Sequence, residues 1–452
     1  MSGKASDSDL PLVLLIITHS YVPNAEVGTL RIVRLCRYLP EFGIRPVILT
    51  VTERHYRDLD DSYPPLPGIR VERVGMLPTP IDLYRYISRR VRPRGRDVAI
   101  PLTPKPAATD APGFLRRHVL ALMEIPDPYW GWYLPATRMA RQLMVEERVA
   151  AVFSSVPPYI AHLVARSLRK RNPVPWLADF RDPWAHNLRG QAFPSWRRWI
   201  DEQLETTCVR WADRVICNTD RLRVTFSRLH PEFPENKFVT LTNGFDDSLI
   251  APNSIRVPCE QRLLLHLGSL YGGRRVDTFC QALNLLVNRG ELDPAQFKVL
   301  FIGDNELSLV RTAEGSAPEL LAKGCIEFRG RENWQVADQI RWNADVLLLF
   351  FRDPLGVPAK FYEYLPTGKP IFAVTPQGAL TDMIEKTGSG VWVEPDDPAE
   401  IGLKLLEVLA MPPVPPERAQ RLWAGDFHFR SLAGKLADWV KDLVPCEQKV
   451  RK

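Results

Sequence analysis

The chain has 452 residues, of which 45% are apolar and 25% are charged. This length exceeds what one hydrophobic core organises, so we expect two or three globular domains. No apolar run reaches the roughly 18 residues that a membrane-spanning helix needs, and the net charge of +6 is modest.

The N-terminal half alternates apolar strands with amphipathic helices. Its first apolar run, "PLVLLIIT", is not followed by a small-residue cleavage site, so we predict a buried strand and not a signal peptide. The polar loop "HSYVPNAEVGT", the helix "LRIVRLCRYLPEFG" and the strand "RPVILTV" come next, and "AAVFSS", "VPWLADF" and "RVICNT" continue the series of strands. This alternation indicates a parallel sheet covered by helices on both faces.

A basic and aromatic segment, residues 81–118, interrupts the alternation. It holds nine Lys or Arg and three acidic side chains, so its net charge of nine minus three equals the +6 of the whole chain. Two interpretations stay open: the segment lies on an anionic membrane surface, at about 1 kcal/mol per basic side chain, or it is a solvated loop. No nucleic-acid-binding motif accompanies the arginines, so we expect no nucleic-acid partner.

The strand and helix pattern begins again after a turn at Asn243-Gly244, with the strands "LLLHLGSL", "FKVLFIG", "IEFRG", "DVLLLFF", "PIFAV" and "GVWVEP". We therefore predict an α/β fold with two doubly wound domains, residues 1–245 and 246–425. A last amphipathic helix, within residues 426–452, is predicted to return to the first domain. Because parallel strands present their carboxyl ends to ligands, we expect a ligand-binding cleft between the domains.

The seven cysteines are scattered and form no CxxC pair. This usage is typical of reduced thiols in a cytoplasmic protein, and it argues against a zinc site. We therefore expect a cytoplasmic location and no bound metal.

Two glycine-containing loops follow predicted strands. Gly28 lies in a polar loop before a helix, where it either lets the loop approach a ligand or serves only as a turn residue. The segment "GSLYGGRRVD" joins three glycines to Arg274 and Arg275. Guanidinium groups suit a diphosphate, although solvated arginines in a turn are the alternative. The Walker A spacing is missing, which disfavours a P-loop ATPase.

The stretch "VPAKFYEYLPTGKPIFAV" places Lys360 and Glu363 three residues apart on a short helix. Residues at this spacing share a face. If the cleft holds a nucleotide diphosphate sugar, Glu363 can accept hydrogen bonds from the vicinal ribose hydroxyls. Lys360, with Arg274 opposite, can then balance the charge of a departing diphosphate. The alternative is an ordinary surface ion pair.

Seven motifs of the chain resemble motifs of family 4 glycosyltransferases and occur in the order found in that family. The resemblance covers residues 11–440 apart from the segment 81–118. It implies a GT-B fold, with two Rossmann-like domains facing across a cleft, and transfer of a sugar from a nucleotide sugar to an acceptor with retention and without a metal or other cofactor. The N-terminal domain would bind the acceptor and the C-terminal domain the donor. The motifs are "ITHSYVPNAEVGTLRIVRLCRYLPEFG", "SSVPPYIAHLVA", "PWLADFRDPW", "ADRVICNT", "TNGFD", "LGSLYGGRR" and "PAKFYEYLPTGKPI".

The resemblance also implies roles for individual residues. Glu363 would bind the donor ribose, while Arg274 and Lys360 would bind the diphosphate and stabilise its departure. Gly28 would lie in the loop under the diphosphate and the transferred sugar, and Arg331 would lie near the nucleobase.

The chain departs from the family pattern in its first carboxylate. Relatives commonly have two glutamates separated by seven residues, whereas Leu355 stands eight positions before Glu363. If "GVP" is matched to the family's Gly-x-Pro, Asp353 takes the place of the first glutamate as a contact to sugar hydroxyls.

A second departure lies in "ADFRDPW", where many relatives have a histidine near the reacting sugar and this chain has Arg181 and Asp182. Asp182 would orient or deprotonate the acceptor, with Asp179 as second choice. The alternative is a structural turn. His162, on a helix with apolar neighbours, is interpreted as a packing residue rather than a base.

The favoured hypothesis is a retaining glycosyltransferase that uses a nucleotide sugar, with UDP expected first on family frequency. The basic segment 81–118 makes a lipid-linked or membrane-surface acceptor plausible, as in polysaccharide assembly, with the enzyme peripheral at the inner face of the cell membrane. Two alternatives stay open: a nucleotide-sugar epimerase of the same fold, and a catalytically silent nucleotide-sugar-binding protein.

Overall fold

A computed structural model of the chain describes residues 11–56, 58–60, 63–82, 84, 114–185, 193–249, 261–271 and 274–445. The chain forms two compact units. The first unit comprises Met1–Thr242 and Leu432–Lys452, and the second comprises Asn243–Ser431. The boundaries predicted from the sequence lie after residues 245 and 425. Most of the basic segment 81–118 lies outside the described residues.

The first unit is built on a sheet of seven parallel strands in the order β3-β2-β1-β4-β5-β6-β7. Its central strands are almost wholly buried, because helices cover both faces of a parallel sheet. This explains why they read as continuous apolar runs. The strands are β1 Leu12–Ile17, β2 Ile44–Val51, β3 Arg70–Val74, β4 Ala151–Val156, β5 Trp176–Phe180, β6 Arg214–Cys217 and β7 Phe238–Thr240.

Among the described residues, seven α-helices with complete bounds accompany this sheet, and the last of them reaches the first unit from the far end of the chain. That last helix buries Leu432, Leu436 and Val440, and a Cβ added to its Gly434 would lie 3.1 Å from the Phe42 ring. The helices are α1 Val27–Tyr38, α2 Phe114–Met123, α3 Tyr133–Glu146, α4 Ile160–Arg169, α5 Ser195–Trp211, α6 Asp220–Leu229 and, in C-terminal position, α15 Phe429–Leu443.

The second unit contains six parallel strands in the order β10-β9-β8-β11-β12-β13. Alternate side chains enter two separate apolar clusters, with Leu264 and Leu348 in one and Leu265 and Leu347 in the other. Both faces of the sheet are therefore covered. The strands are β8 Arg262–Leu267, β9 Phe297–Ile302, β10 Ile326–Arg329, β11 Val346–Phe350, β12 Ile371–Val374 and β13 Gly390–Val393.

The helices of the second unit fill the connections between these strands and follow the last strand. They are α7 Val276–Asn288, α8 Leu307–Ser316, α9 Pro318–Ala322, α10 Trp334–Asn343, α11 Ala359–Tyr364, α12 Ala379–Thr387, α13 Pro398–Ala410 and α14 Pro416–Phe427.

Each sheet reverses its strand order once, between β1 and β4 in the first unit and between β8 and β11 in the second. Ligands of doubly wound folds bind at such a switch point, beside the carboxyl ends of the strands. The predicted α/β fold with two doubly wound sheets is confirmed. In each unit, the expected ligand-binding site is therefore the carboxyl edge of the sheet, beside its switch point.

Among the described residues, no helix has both the length and the apolar character needed to cross a membrane. The same residues contain no group of three or more His, Cys, Asp or Glu side chains placed to hold a metal ion. The five cysteines in this part of the chain are free thiols, and all are buried.

Candidate functional site

The loop after β8 is shaped by two glycines at neighbouring strand ends. Gly268 has a φ of +136° and Gly303, after β9, a φ of +148°, a region that L side chains rarely adopt. A Cβ on Gly303 would lie 2.5 Å from the Gly268 carbonyl carbon. The amide of Leu270 donates to the Asp304 carbonyl at 3.2 Å, which ties the two loops together. The β8 loop is thus held at the switch point by backbone contacts.

Arg274 stands at the end of this loop, just before α7. Its Nη1 donates to the Ser269 carbonyl at 2.6 Å, and its guanidinium lies 4.4 Å from the centre of the Tyr271 ring. Burial lowers the pKa of Arg274, because a charged group loses hydration there. No carboxylate among the described residues forms an ion pair with it. The neighbouring Arg275, in contrast, pairs with Asp277 and Asp396, each at 3.0 Å.

Lys360 and Glu363 form the ion pair expected from their spacing, with 2.8 Å between Nζ and Oε2. The two partners differ in exposure: 41% of the Lys360 side chain is exposed, against 9% for Glu363. A carboxylate so deeply buried must be compensated, so this is not an ordinary surface pair. The Lys360 ammonium therefore faces solvent, beside a Glu363 carboxylate that is largely shielded from water.

Two hydrogen bonds anchor helix α11, one to Arg341 and one to β8. The buried Arg341, itself paired with Asp338, donates to the main-chain carbonyl of Glu363. The Tyr364 hydroxyl accepts a hydrogen bond from the amide of Leu267, the last residue of β8, at 3.0 Å. The helix that carries Glu363 is therefore fixed directly to the strand that leads into the Arg274 loop.

His266, on β8, is a feature of this site that the sequence did not single out. Its Nδ1 lies 3.0 Å from the Leu348 carbonyl on β11, and its Nε2 has no hydrogen-bond partner among the described residues. Burial lowers the pKa of His266 to about 3, and the charges of Arg274 and Lys360 add to this effect. The charges of Arg274 and Lys360 therefore both act on the His266 ring, at the switch point between β8 and β11.

The two remaining predicted donor contacts have other partners. Arg331 forms a surface ion pair with Asp304, with 2.7 Å between Nε and Oδ2 and 59% of each side chain exposed. Asp353 closes its own turn, since its Oδ1 accepts from the Leu355 amide at 2.9 Å. Both residues follow strand ends of the second unit, so their contacts to nucleobase and sugar stay predictions.

At the carboxyl edge of the first sheet, Gly28 and Arg181 are in direct contact. A Cβ on Gly28 would overlap the guanidinium of Arg181, lying 2.7 Å from Nη2. Arg181 donates from Nε to the Val156 carbonyl at 2.9 Å and from Nη2 to the Pro157 carbonyl at 2.5 Å. An alanine at this position would therefore displace the guanidinium. This contact could not be predicted, because 153 positions separate the two residues.

The two candidate acceptor-activating aspartates differ in their surroundings. Asp179 is fully buried and bound by Arg31, with 2.8 Å between Nη2 and Oδ1, and by the Ser155 hydroxyl at 2.7 Å. Arg31 also donates to the Leu241 carbonyl at 2.8 Å. Asp179 is therefore a structural ion-pair partner without access to an acceptor, a correction to its second-choice role. Asp182, half-buried after β5, stays a prediction.

Two of the buried histidines in the first unit, His19 and His162, lie close to aromatic rings. His162 has Nδ1 2.8 Å from the Ser154 hydroxyl and packs against Phe180, as its interpretation as a packing residue requires. His19, at the end of β1, has no partner for either ring nitrogen among the described residues, and its ring lies 4.2 Å from that of Tyr129. Burial lowers the pKa of both imidazoles to about 3, so both are neutral.

The segment 261–411, which carries Arg274, Lys360 and Glu363, matches the family model described as "Glycosyl transferases group 1". The matched residues make up most of the second unit. The expectation of a glycosyltransferase enzyme is confirmed by this match, whereas family 4 membership stays a prediction. No curated protein matches the chain at a significant level.

Solved structures of glycosyltransferases resemble nearly the whole chain. The sucrose-phosphate synthase of Thermosynechococcus elongatus is 16% identical with a TM-score of 0.59, covering 97% of this chain and 96% of its own. WaaG, a glycosyltransferase involved in lipopolysaccharide biosynthesis, is 15% identical with a TM-score of 0.56, covering 95% and 99%. Anabaena HepE, solved with UDP and glucose, is 13% identical with a TM-score of 0.59, covering 95% and 100%. The chain therefore has the GT-B fold.

Proposed function

We propose that this glycosyltransferase takes its sugar from a nucleotide diphosphate sugar, with UDP as the nucleotide, and transfers it with retention. The proposal rests on two kinds of group, an arginine and a lysine–glutamate pair, that lie beside the same switch point between β8 and β11. Arg274 has a charge that no described carboxylate neutralises, and Lys360 and Glu363 stand on a helix fixed to the same strand. Structures of Anabaena HepE with UDP and with UDP-glucose support the choice of nucleotide.

Each group has a role in this reaction. The two oxygens of Glu363 accept hydrogen bonds from vicinal ribose hydroxyls, and Lys360 and Arg274 bind the diphosphate. As the bond between the sugar and the diphosphate breaks, negative charge grows on the departing phosphate oxygen. Fixed cations in a shielded site stabilise that charge more than water does. Retention then needs no protein nucleophile, because the leaving diphosphate takes the acceptor proton.

The acceptor side of the proposal rests on the first unit and on charge. Asp182 orients the acceptor hydroxyl, at the carboxyl edge of the sheet. The excess of basic residues in segment 81–118 favours a lipid-linked acceptor at an anionic membrane surface. We accordingly propose that the enzyme works as a peripheral protein at the inner face of the cell membrane, in glycan assembly.

Product analysis tests this function. The purified chain is incubated with UDP-sugars, with and without lipid-linked acceptors, and UDP and sugar products are measured. The proposal expects acceptor-dependent UDP release and a product with the anomeric configuration of the donor. Conversion of one UDP-sugar into another sugar without acceptor would identify an epimerase instead. Binding of UDP with no turnover under any condition would identify a silent binding protein.

A further inference from the structure

The guanidinium of Arg181 differs from the guanidinium groups of three buried arginines in what surrounds it. Arg31, Arg197 and Arg341 are each buried and each paired with an aspartate. Arg181 is half-buried, yet no carboxylate among the described residues comes within ion-pair distance of it. Its hydrogen-bond partners among the described residues are two backbone carbonyls, those of Val156 and Pro157.

The carboxylates nearest to Arg181 are already engaged or lie too far away for a pair. Asp179 is held by Arg31 and Ser155, and Glu26 accepts from the Ser20 hydroxyl at 2.5 Å. Asp182, the next residue, forms no ion pair with it. A charge shielded from water is costly without a counter-charge. The fold nevertheless fixes the orientation of this guanidinium through carbonyl groups that carry no net charge.

The position of the guanidinium is also that of a ligand-binding group. Arg181 follows β5, and its Nη1 lies against Gly28 in the first turn of α1, the helix that follows β1. Both belong to the carboxyl edge of the first sheet, where doubly wound units bind ligands. Nε and Nη2 are occupied by the two carbonyls, and no hydrogen bond from Nη1 to a described residue is present. A donor is therefore available on the side of Gly28.

We propose that Arg181 binds an oxyanion of the substrate, a phosphate or a carboxylate, at the carboxyl edge of the first unit. The anion accepts a charge-assisted hydrogen bond from the guanidinium, which has no direct ion pair with a described residue, although the charges of Asp182, Asp179 and Glu26 act on it from beyond ion-pair distance. The transferase would thus select a phosphorylated or acidic sugar substrate. The site follows from the first unit alone, whereas its assignment to a sugar substrate rests on the proposed function.

The test uses the full chain, saturated with UDP so that the diphosphate site of the second unit is filled. Inorganic phosphate and glucuronate are then titrated separately by calorimetry. The variants are Arg181→Gln, which removes the charge, and Gly28→Ala, whose Cβ displaces the guanidinium. The control is Arg169→Gln. Arg169 pairs with Asp213 at 2.9 Å, just before the amino end of β6 and therefore at the opposite edge of the sheet.

The proposal expects phosphate or glucuronate to bind the wild type and Arg169→Gln equally. Binding to Arg181→Gln and to Gly28→Ala should be at least tenfold weaker. Phosphate binding alone would indicate a phosphorylated substrate, and glucuronate binding an acidic sugar. Absence of binding of both anions to the wild type, or equal binding to Arg181→Gln, would overturn the proposal. Thermal denaturation of each variant reports on folding, and absence of UDP binding by the wild type would contradict the proposed function separately.

Discussion

The hydroxyl of Tyr364 accepts a hydrogen bond from the amide of Leu267 at 3.0 Å, and this bond joins helix α11 to the end of β8. Both residues are buried, and burial raises the pKa of the Tyr364 hydroxyl. This one contact links the position of Glu363 to the loop that carries Arg274. Separate parts of the proposed donor site are therefore held in register by a single side chain.

Tyr364→Phe should lower the free energy of unfolding by about 1–3 kcal/mol, because it leaves a buried amide without an acceptor. Tyr133→Phe is the control, since Tyr133 is half-buried and makes no hydrogen bond from its hydroxyl to the described residues. Urea denaturation followed by fluorescence measures both. Equal stability of the two variants would show that the Leu267 amide finds another partner.

Arg274→Gln should weaken UDP binding by tenfold or more, about 1.4 kcal/mol, because it removes a cation that no described carboxylate neutralises. Arg275→Gln is a control one residue away, and it should change the affinity less than twofold. Asp277 and Asp396 already neutralise Arg275. Calorimetric titration of UDP compares the two variants, and a larger loss for Arg275→Gln would reverse the assignment.

Arg31→Met should destabilise the protein by about 3–5 kcal/mol, because it leaves the buried Asp179 carboxylate without its counter-charge. The corresponding Arg169→Met breaks the half-exposed pair with Asp213 and should cost at most about 1 kcal/mol. Thermal and urea denaturation supply the comparison. Similar losses in the two variants would contradict a structural role specific to the Arg31–Asp179 pair.

Stability should fall as the pH drops below about 6.5, the ordinary pKa of histidine in the unfolded chain. Burial lowers the pKa of His266 to about 3 in the folded protein. Between these values the unfolded state binds the extra proton, so stability is present above pH 6.5 and lost on acidification. Each such histidine contributes a slope of about 1.4 kcal/mol per pH unit.

His266→Asn should therefore reduce the slope between pH 6.5 and 5 by about the contribution of one histidine. Asparagine keeps a donor near the position of Nδ1 while removing the titrating ring. Urea denaturation at several pH values measures the slope. His19 and His162, with pKa values also lowered to about 3, contribute slopes of the same sign, whereas the buried Asp127 and Asp201, with pKa values raised to about 6, contribute the opposite sign below that pH. An unchanged slope in His266→Asn would show that this ring does not titrate as described.

Much of the fold could be predicted, because strands buried on both faces appear as uninterrupted apolar runs such as "LVLLII". The Lys360–Glu363 pair could be predicted as well, since helical spacing alone sets it. The difference between Arg274 and Arg275 could not, because Asp396, which helps to neutralise Arg275, lies 121 positions away in the chain.

The buried polar groups were harder to predict for the same reason. Asp179 follows the pattern of a strand-end catalytic acid, yet its partner Arg31 lies 148 positions earlier. The contact between Gly28 and Arg181 likewise joins the first turn of α1 to the segment after β5, far apart in the chain. His266 looks like an ordinary member of the strand "RLLLHL" until the neighbouring strand supplies the Leu348 carbonyl.

Helix α11 is proposed to carry part of a nucleotide site, and titration of UDP, GDP, dTDP and ADP into the wild type and Glu363→Ala tests this most directly. Glu407→Ala serves as the control, because Glu407 forms an exposed ion pair with Lys404 at the same spacing of three residues. We expect tight binding of UDP, at least tenfold weaker binding to Glu363→Ala, and no change in Glu407→Ala. Binding of none of the four nucleotides, or equal UDP binding to Glu363→Ala and the wild type, would contradict the account.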